Sequence, residues 1–324
     1  MIKGSASVKE LAYDPGFTWE LFLITLLVLS FLSAFAAFLI LIANGENPGL
    51  LITGIALVLT VLTLLLTPRL SNKYRARQRL IIQRADEVIK NDARPPVLYL
   101  RSFFDDKMLA RAIGFKSIEQ EMKLVLFDIG PFIAFAEPNN EPPTDPGAAR
   151  MYASQEEWQE KARKEMLKAQ LVIIRIGDSP SFWWEVEEAI KIKVRPERLV
   201  FLIPPEKMEV RYEGFRQRAS KWLSYQLPEY KRRWSPNGPP GGILYFEPDG
   251  TPHIREFKII WFRQTFWNLF AASLKFALKP VYEQLGVEWR KPPVQLMQVL
   301  YMLVLFLLAM LVVYYLYAML TRLI

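Results

Sequence analysis

Residues 170–191 read QLVIIRIGDSPSFWWEVEEAIK, and the way they divide decides the fold. The run QLVIIRIG (170–177) is nearly all apolar and ends on glycine, as a strand buried on both faces does. The remainder, DSPSFWWEVEEAIK (178–191), has helical period. At about 100° per residue, Trp183, Val186, Ile190 and Val194 lie along one stripe, with Glu187 in its middle and Glu185 and Glu188 pointing elsewhere. A strand that runs straight into a helix is half of a βαβ unit. A carboxylate on the apolar stripe has to be paired, protonated or lining a cavity.

The same rhythm extends in both directions. VLYLRSF (97–103) reads as a strand, SIEQEMKLVLFDIG (117–130) as a helix with a capping Ser and a terminal Gly, and PFIAFAEP (131–138) as a second strand. SQEEWQEKARKEMLKA (154–169) opens with a Ser-x-x-Glu capping box. RLVFLIP (198–204) is a strand, FRQRASKWLSYQL a helix, and GGILYFEPDG (241–250) a fifth strand with a turn. Alternation of this kind implies right-handed crossovers. The expected fold is α/β, a flavodoxin-like doubly wound parallel sheet covered on both faces.

The flanks are different in kind. Of the 324 residues, 52% are hydrophobic, and three uncharged apolar stretches stand out: Leu21–Ala43, Leu50–Thr67 and Leu296–Met319. Each is long enough to cross about 30 Å of hydrocarbon as a helix. The sequence therefore predicts a cytoplasmic N-terminal segment (1–20), a transmembrane hairpin (21–67), a basic juxtamembrane helix (68–95), the α/β domain (96–255), an amphipathic membrane-proximal helix and linker (256–295) and a third span (296–320). Arg69, Lys73, Arg75, Arg77 and Arg79 after the second span, with Arg290 and Lys291 before the third, place the 68–295 region in the cytoplasm of a multi-pass inner-membrane protein. Residues 257–279 carry a narrow polar sector containing Gln264, Asn268, Lys275 and Lys279. That pattern suits a helix laid on the bilayer or clamped between domain and membrane.

Composition excludes several chemistries. There is no Cys and a single histidine, His253, so disulfides, thiolate or multi-histidine metal sites and His-based triads are absent, and no metal is expected. The net charge of +8 owes much to RLSNKYRARQR beneath the membrane, where anionic lipid is the nearer partner, and no nucleic-acid partner is expected. No GxGxxG or GxxxxGK[ST] motif occurs. The spans carry no charged residue before Arg322, which leaves a transport path without a polar lining.

In doubly wound sheets ligands collect beyond the carboxyl ends of the strands. That rim carries RSFFDD (101–106), NNEPPTDPGAARMY (139–152), GDSPSFWWE (177–185) and PPE (204–206). The order of these pieces, from Val97 to Tyr245, resembles a Toll/interleukin-1 receptor (TIR) domain: YLRSFFDD for its first box, TDPG (144–147) for its loop, and Trp183 with Glu187 for the Trp and Glu of its third helix. The chain also resembles a group of bacterial membrane proteins carrying LRSF-x-DD, GAAR-x-Y and a Trp-Glu helix start. The TIR resemblance implies signalling or defence through homo-oligomers, in some members by cleaving NAD, as substrate rather than cofactor, at the nicotinamide glycosidic bond. It puts the catalytic acid at Glu187, with Glu185, nearer the helix N-terminus and its dipole, as the rival. Arg101, Ser102, Phe103, Asp105 and Asp106 with Ser181, Trp183 and Trp184 are the expected substrate-binding residues. Other readings stay open: Glu187 in a salt bridge with Arg101 or Arg175, the tryptophans as packing, and a non-catalytic domain that binds a nucleotide or protein and signals to the membrane helices.

Overall fold

Apolar strand runs of four or five residues separated by helices leave few ways to bury both faces of a sheet, and the chain adopts one of them. A computed structural model describes residues 84–101, 118–136, 147–204, 208–223, 226–230, 241–258 and 269–292, all within one unit, Ile81–Leu296. The three apolar spans lie outside the described residues, and among those residues no helix is long and apolar enough to cross a membrane.

The elements run α1 (Ala85–Asn91), β1 (Val97–Leu100), α2 (Ile118–Leu126), β2 (Phe132–Phe135), β3 (Ala149–Met151), α3 (Trp158–Lys168), β4 (Leu171–Arg175), α4 (Pro180–Lys191), β5 (Leu199–Ile203), α5 (Met208–Ala219), β6 (Gly242–Phe246), β7 (Pro252–Glu256), α6 (Leu269–Ala277) and α7 (Lys279–Gln284). They build one seven-stranded sheet in the order β3-β2-β1-β4-β5-β6-β7. The first five strands are parallel, while β6 runs antiparallel to β5 and to β7. An α/β architecture with a mostly parallel sheet is thus in place, with three departures from the expected pattern. The 139–152 loop contributes an edge strand, β3. The GGILYFEPDG strand is antiparallel and closes a hairpin with β7, which holds His253 against Tyr245 at 5.4 Å. The helix after β5 starts at Met208, seven residues before the expected FRQRA segment.

Strand side chains alternate between faces. Leu98, Leu100, Val172, Ile174, Leu199 and Phe201 meet α1, α3, α4 and α5 on one face. Val97, Tyr99, Leu171, Ile173, Val200 and Leu202 meet α2, α6 and α7 on the other. Of the 257–279 segment, expected on the bilayer or clamped between domain and membrane, residues 259–268 lie outside the described residues, while Leu274, Ala277 and Leu278, with Val281 and Tyr282 beyond it, pack on this second face. Lys275, placed in the polar sector by its spacing, is buried. It donates to Asp128 at 2.5 Å and to the Tyr282 hydroxyl at 2.8 Å, and that hydroxyl donates to the Val125 carbonyl. Burial pushes the Lys275 ammonium below its ordinary range, and the Asp128 carboxylate partly restores it. Glu121 accepts the Ala271 N–H at 2.7 Å, which puts an acid in the first turn of α6. The helices after 255 thus complete, with α2, the core on that side.

Candidate functional site

Between β1 and β4 the chain changes face. After β1 it crosses by α2 on one side, and after β4 by α4 on the other. The carboxyl ends of these two neighbours therefore flank the topological switch point, where open α/β sheets bind ligands. Arg101 follows β1 directly, Arg175 ends β4, and both are buried. The register Leu100↔Ile174 sets them side by side at the sheet edge.

Helix α4 enters this edge at once. The Ser179 hydroxyl accepts the Phe182 N–H at 3.2 Å and stands 3.0 Å from the Ser181 hydroxyl, while Pro180 fills the first turn. The buried apolar residues are Phe182, Trp183, Val186 and Ala189, and the buried acids are Glu185 and Glu188. Glu187 is exposed, which corrects the expectation that it occupies the stripe. Glu187 lies at the edge of that stripe, about 55° from its centre and not in its middle, and Phe182 and Ala189, left out of it, turn the centre by a further roughly 60° toward Glu185, which leaves Glu187 about 110° away. Glu188 bonds Arg163 of α3 at 2.5 Å. Glu185 is 6% exposed, and its Oε2 has no hydrogen-bond partner among the described residues. Burial pushes its carboxyl up to about 8, against the pull of the Arg101 charge. At neutral pH it is an acid holding its proton.

A second buried acid, Glu119 near the start of α2, pairs with Arg101. Arg101 Nε donates to its Oε1 at 2.8 Å, and Arg150 of β3 donates to its Oε2 at 2.7 Å. Burial would raise the Glu119 carboxyl, but the charges of Arg101 and Arg150, the Arg150 bond and the Ala148 N–H overcome that and hold it low. Gly147 leaves room for it: a Cβ there would lie 2.5 Å from Glu119 Oε2. The sheet thus gathers the Arg of LRSF and the Arg of GAAR around one carboxylate of α2.

Of the expected substrate-binding residues, Arg101 is at the rim. Ser102, Phe103, Asp105 and Asp106 lie outside the described residues. Ser181 is bound into the helix cap. Trp183 is packed rather than open as a stacking wall: it stacks on Phe215 at 6.1 Å, with the Arg218 guanidinium 4.2 Å from its ring centroid. Trp184 is half-buried edge-on to Trp158 at 4.8 Å. Glu119 and Arg150 had no role in the sequence reading, although both carried a signal. Glu119 shares the i, i+3, i+7 stripe of Met122 and Leu126, and Arg150 sits inside a buried strand between Ala149 and Met151.

A cavity of about 630 Å³ lies elsewhere, beside β7, among Tyr230, Arg255, Glu256, Ser273 and Phe276. It is four strands from β1. Among the described residues no group of three or more His, Asp or Glu side chains is placed to hold a metal ion. The rim can therefore supply a proton from Glu185 and fixed positive charge from Arg101. No family model, curated protein or solved structure matches the chain.

Proposed function

We propose that this chain is a membrane-anchored, TIR-like signalling or defence protein of the bacterial inner membrane. In this reading its flavodoxin-like cytoplasmic domain takes NAD at the switch point and breaks the nicotinamide glycosidic bond, with Glu185 as the acid. One observation carries the reading: on the helix that follows β4, a buried carboxyl with an unbonded oxygen that feels the charge of Arg101, the buried arginine directly after β1, in a sheet of the kind that takes ligands at its strand ends. A cationic nicotinamide ring beside Glu185 favours its carboxylate, so binding releases a proton. As the C–N bond breaks, its electron pair leaves with neutral nicotinamide and the carboxylate faces the oxocarbenium centre. Water adds at that carbon, and its proton returns to Glu185. Homo-oligomers held by the bilayer anchor bring copies of the domain together.

The packing of both Trp183 and Trp184 favours a second reading, a domain that binds a nucleotide or protein partner and signals to the membrane helices without chemistry. One experiment separates the two. The full-length protein in detergent, free and crosslinked into clusters, is incubated with NAD, and nicotinamide is measured for the parent, Glu185→Gln and Glu187→Gln. The catalytic reading expects release by the parent and by Glu187→Gln and its loss in Glu185→Gln. NAD binding without release assigns the second reading, and release that survives Glu185→Gln removes Glu185 from the chemistry.

A further inference from the structure

Among the described residues the sheet ends on β7. The Glu247 N–H donates to the Thr251 carbonyl at 2.9 Å and the Phe257 N–H to the Gly241 carbonyl at 3.0 Å. Since bonded pairs alternate with unbonded ones in an antiparallel ladder, Tyr245↔His253 and Ile243↔Arg255 are bonded too. Pro252, Ile254 and Glu256 are the alternate residues, and their backbone groups point away from β6. No hydrogen bond from the described residues reaches the Ile254 or Glu256 backbone on that side. The cavity of about 630 Å³ runs beside this edge, lined from both faces of the sheet. Glu229 and Tyr230 form one wall, held in place where the Tyr212 hydroxyl donates to the Pro228 carbonyl at 2.8 Å and the Tyr212 ring meets Tyr230 edge-on at 5.7 Å. Helix α6 forms the other, fixed by the Ser273 hydroxyl donating to the Lys258 carbonyl at 2.8 Å and by Arg255 Nη1 reaching the Phe276 carbonyl at 3.4 Å.

The geometry points to this slot as the binding site of a single extended peptide segment, added to β7 as a further strand, with an apolar, an acidic and a basic residue in successive positions opposite Ile254, Arg255 and Glu256. Outward backbone N–H and C=O groups at strand spacing are completed by another strand. A strand residue takes up about 160 Å³ at ordinary strand and sheet spacings, so the cavity holds about four. Side chains of neighbouring strands pair on the same face. Ile254 is half-buried on the face that carries Tyr230, which favours an apolar residue beside it. Glu256, exposed on that face and lining the slot with Glu229, favours a cation, and Arg255, exposed on the opposite face, favours an anion. The walls choose the occupant. A lone strand fits between Tyr230 and α6, whereas the β7 of a second copy would drive its own walls into these. The slot is four strands from β1, and its role is independent of the chemistry at the rim.

The test uses the full-length protein in detergent and two capped, fluorescein-labelled peptides, Thr-Val-Glu-Lys-Thr and its reverse, Thr-Lys-Glu-Val-Thr, which offer the same side chains to a parallel and to an antiparallel strand. Fluorescence anisotropy measures binding, and hydrogen exchange reads the β7 amides. One of the two peptides binds and slows the exchange of the Ile254 and Glu256 amides. Ile254→Pro removes an outward N–H and leaves the β6 ladder whole, as Pro252 already does on this edge, and it weakens binding about tenfold. Glu256→Lys weakens it about threefold to tenfold and turns the preference to the same peptide with its Lys replaced by Glu. Glu256 is exposed, so this variant decides the matter if Ile254→Pro does not fold. No binding of either peptide, binding unchanged by Ile254→Pro, or no turn of preference in Glu256→Lys overturns the proposal. Self-association of the parent that is lost in Ile254→Pro, with neither peptide bound, gives the edge to a second copy and overturns it as well.

Discussion

Replacing Glu185 by Gln should change how stability depends on pH more than it changes stability itself. The folded carboxyl is pushed up to about 8 by burial, from an ordinary 4.5. Between those values the folded chain holds a proton that the unfolded chain has lost. Stability from this group is therefore complete below about pH 4.5, falls as pH rises, and levels off above about 8. At roughly 1.4 kcal/mol per pH unit the whole window is worth about 5 kcal/mol, an upper value. Gln is neutral throughout and carries only a fixed, pH-independent offset for its buried amide. The difference in stability, variant minus parent, should then climb by about 4 to 5 kcal/mol from pH 5 to pH 9. In a unit of this size that is roughly 10 to 15 °C in Tm. Thermal unfolding of the full-length protein in detergent, followed by tryptophan fluorescence across that range for both proteins, measures it. All other groups cancel in the comparison. Parallel Tm–pH curves for parent and variant would refute the burial of an uncompensated carboxyl at Glu185.

The remaining predictions concern fold and topology. Gly130→Ala puts a Cβ 2.3 Å from the Pro95 carbonyl oxygen, and because backbone cannot yield as a side-chain tip can, it should cost about 2 kcal/mol or more, read as a lower Tm. Ser179→Ala removes the cap on the Phe182 N–H and should cost about 1 kcal/mol, with the same measurement as check. A cytoplasmic reporter fused after Asp92 should be active and a periplasmic one silent; the reverse would overturn both the orientation and the NAD reading.

Much of the architecture was legible because local rules were enough. Apolar runs of strand length, helices with capping residues, and prolines and glycines between them place β1, β2, β4, β5 and α2, α3 and α4 within a few residues of where they lie. What local rules left open was partnership. Strand direction is set by which neighbour's hydrogen bonds are free, so GILYF could run either way until β7 returned beside it. Three residues, Ala149–Met151, are too short to register as a strand without β2 to pair with. The apolar arc of 269–282 asks only for an apolar surface, and a membrane and an uncovered sheet face satisfy it equally. The site shows the same division. That helix 180–191 has an apolar arc flanked by acids follows from the sequence; that Glu185 and Glu188 are buried beside it is decided by what packs there. That the buried acids include Glu185 and not Glu187 was decided by the packing of Phe182 and Ala189, which rotates the buried arc, and the grouping of Arg101, Glu119 and Arg150 was assembled only by the sheet. A sequence determines which side chains must leave water; the tertiary structure decides which surfaces receive them, because burial free energy depends on area removed from solvent and not on the identity of what covers it.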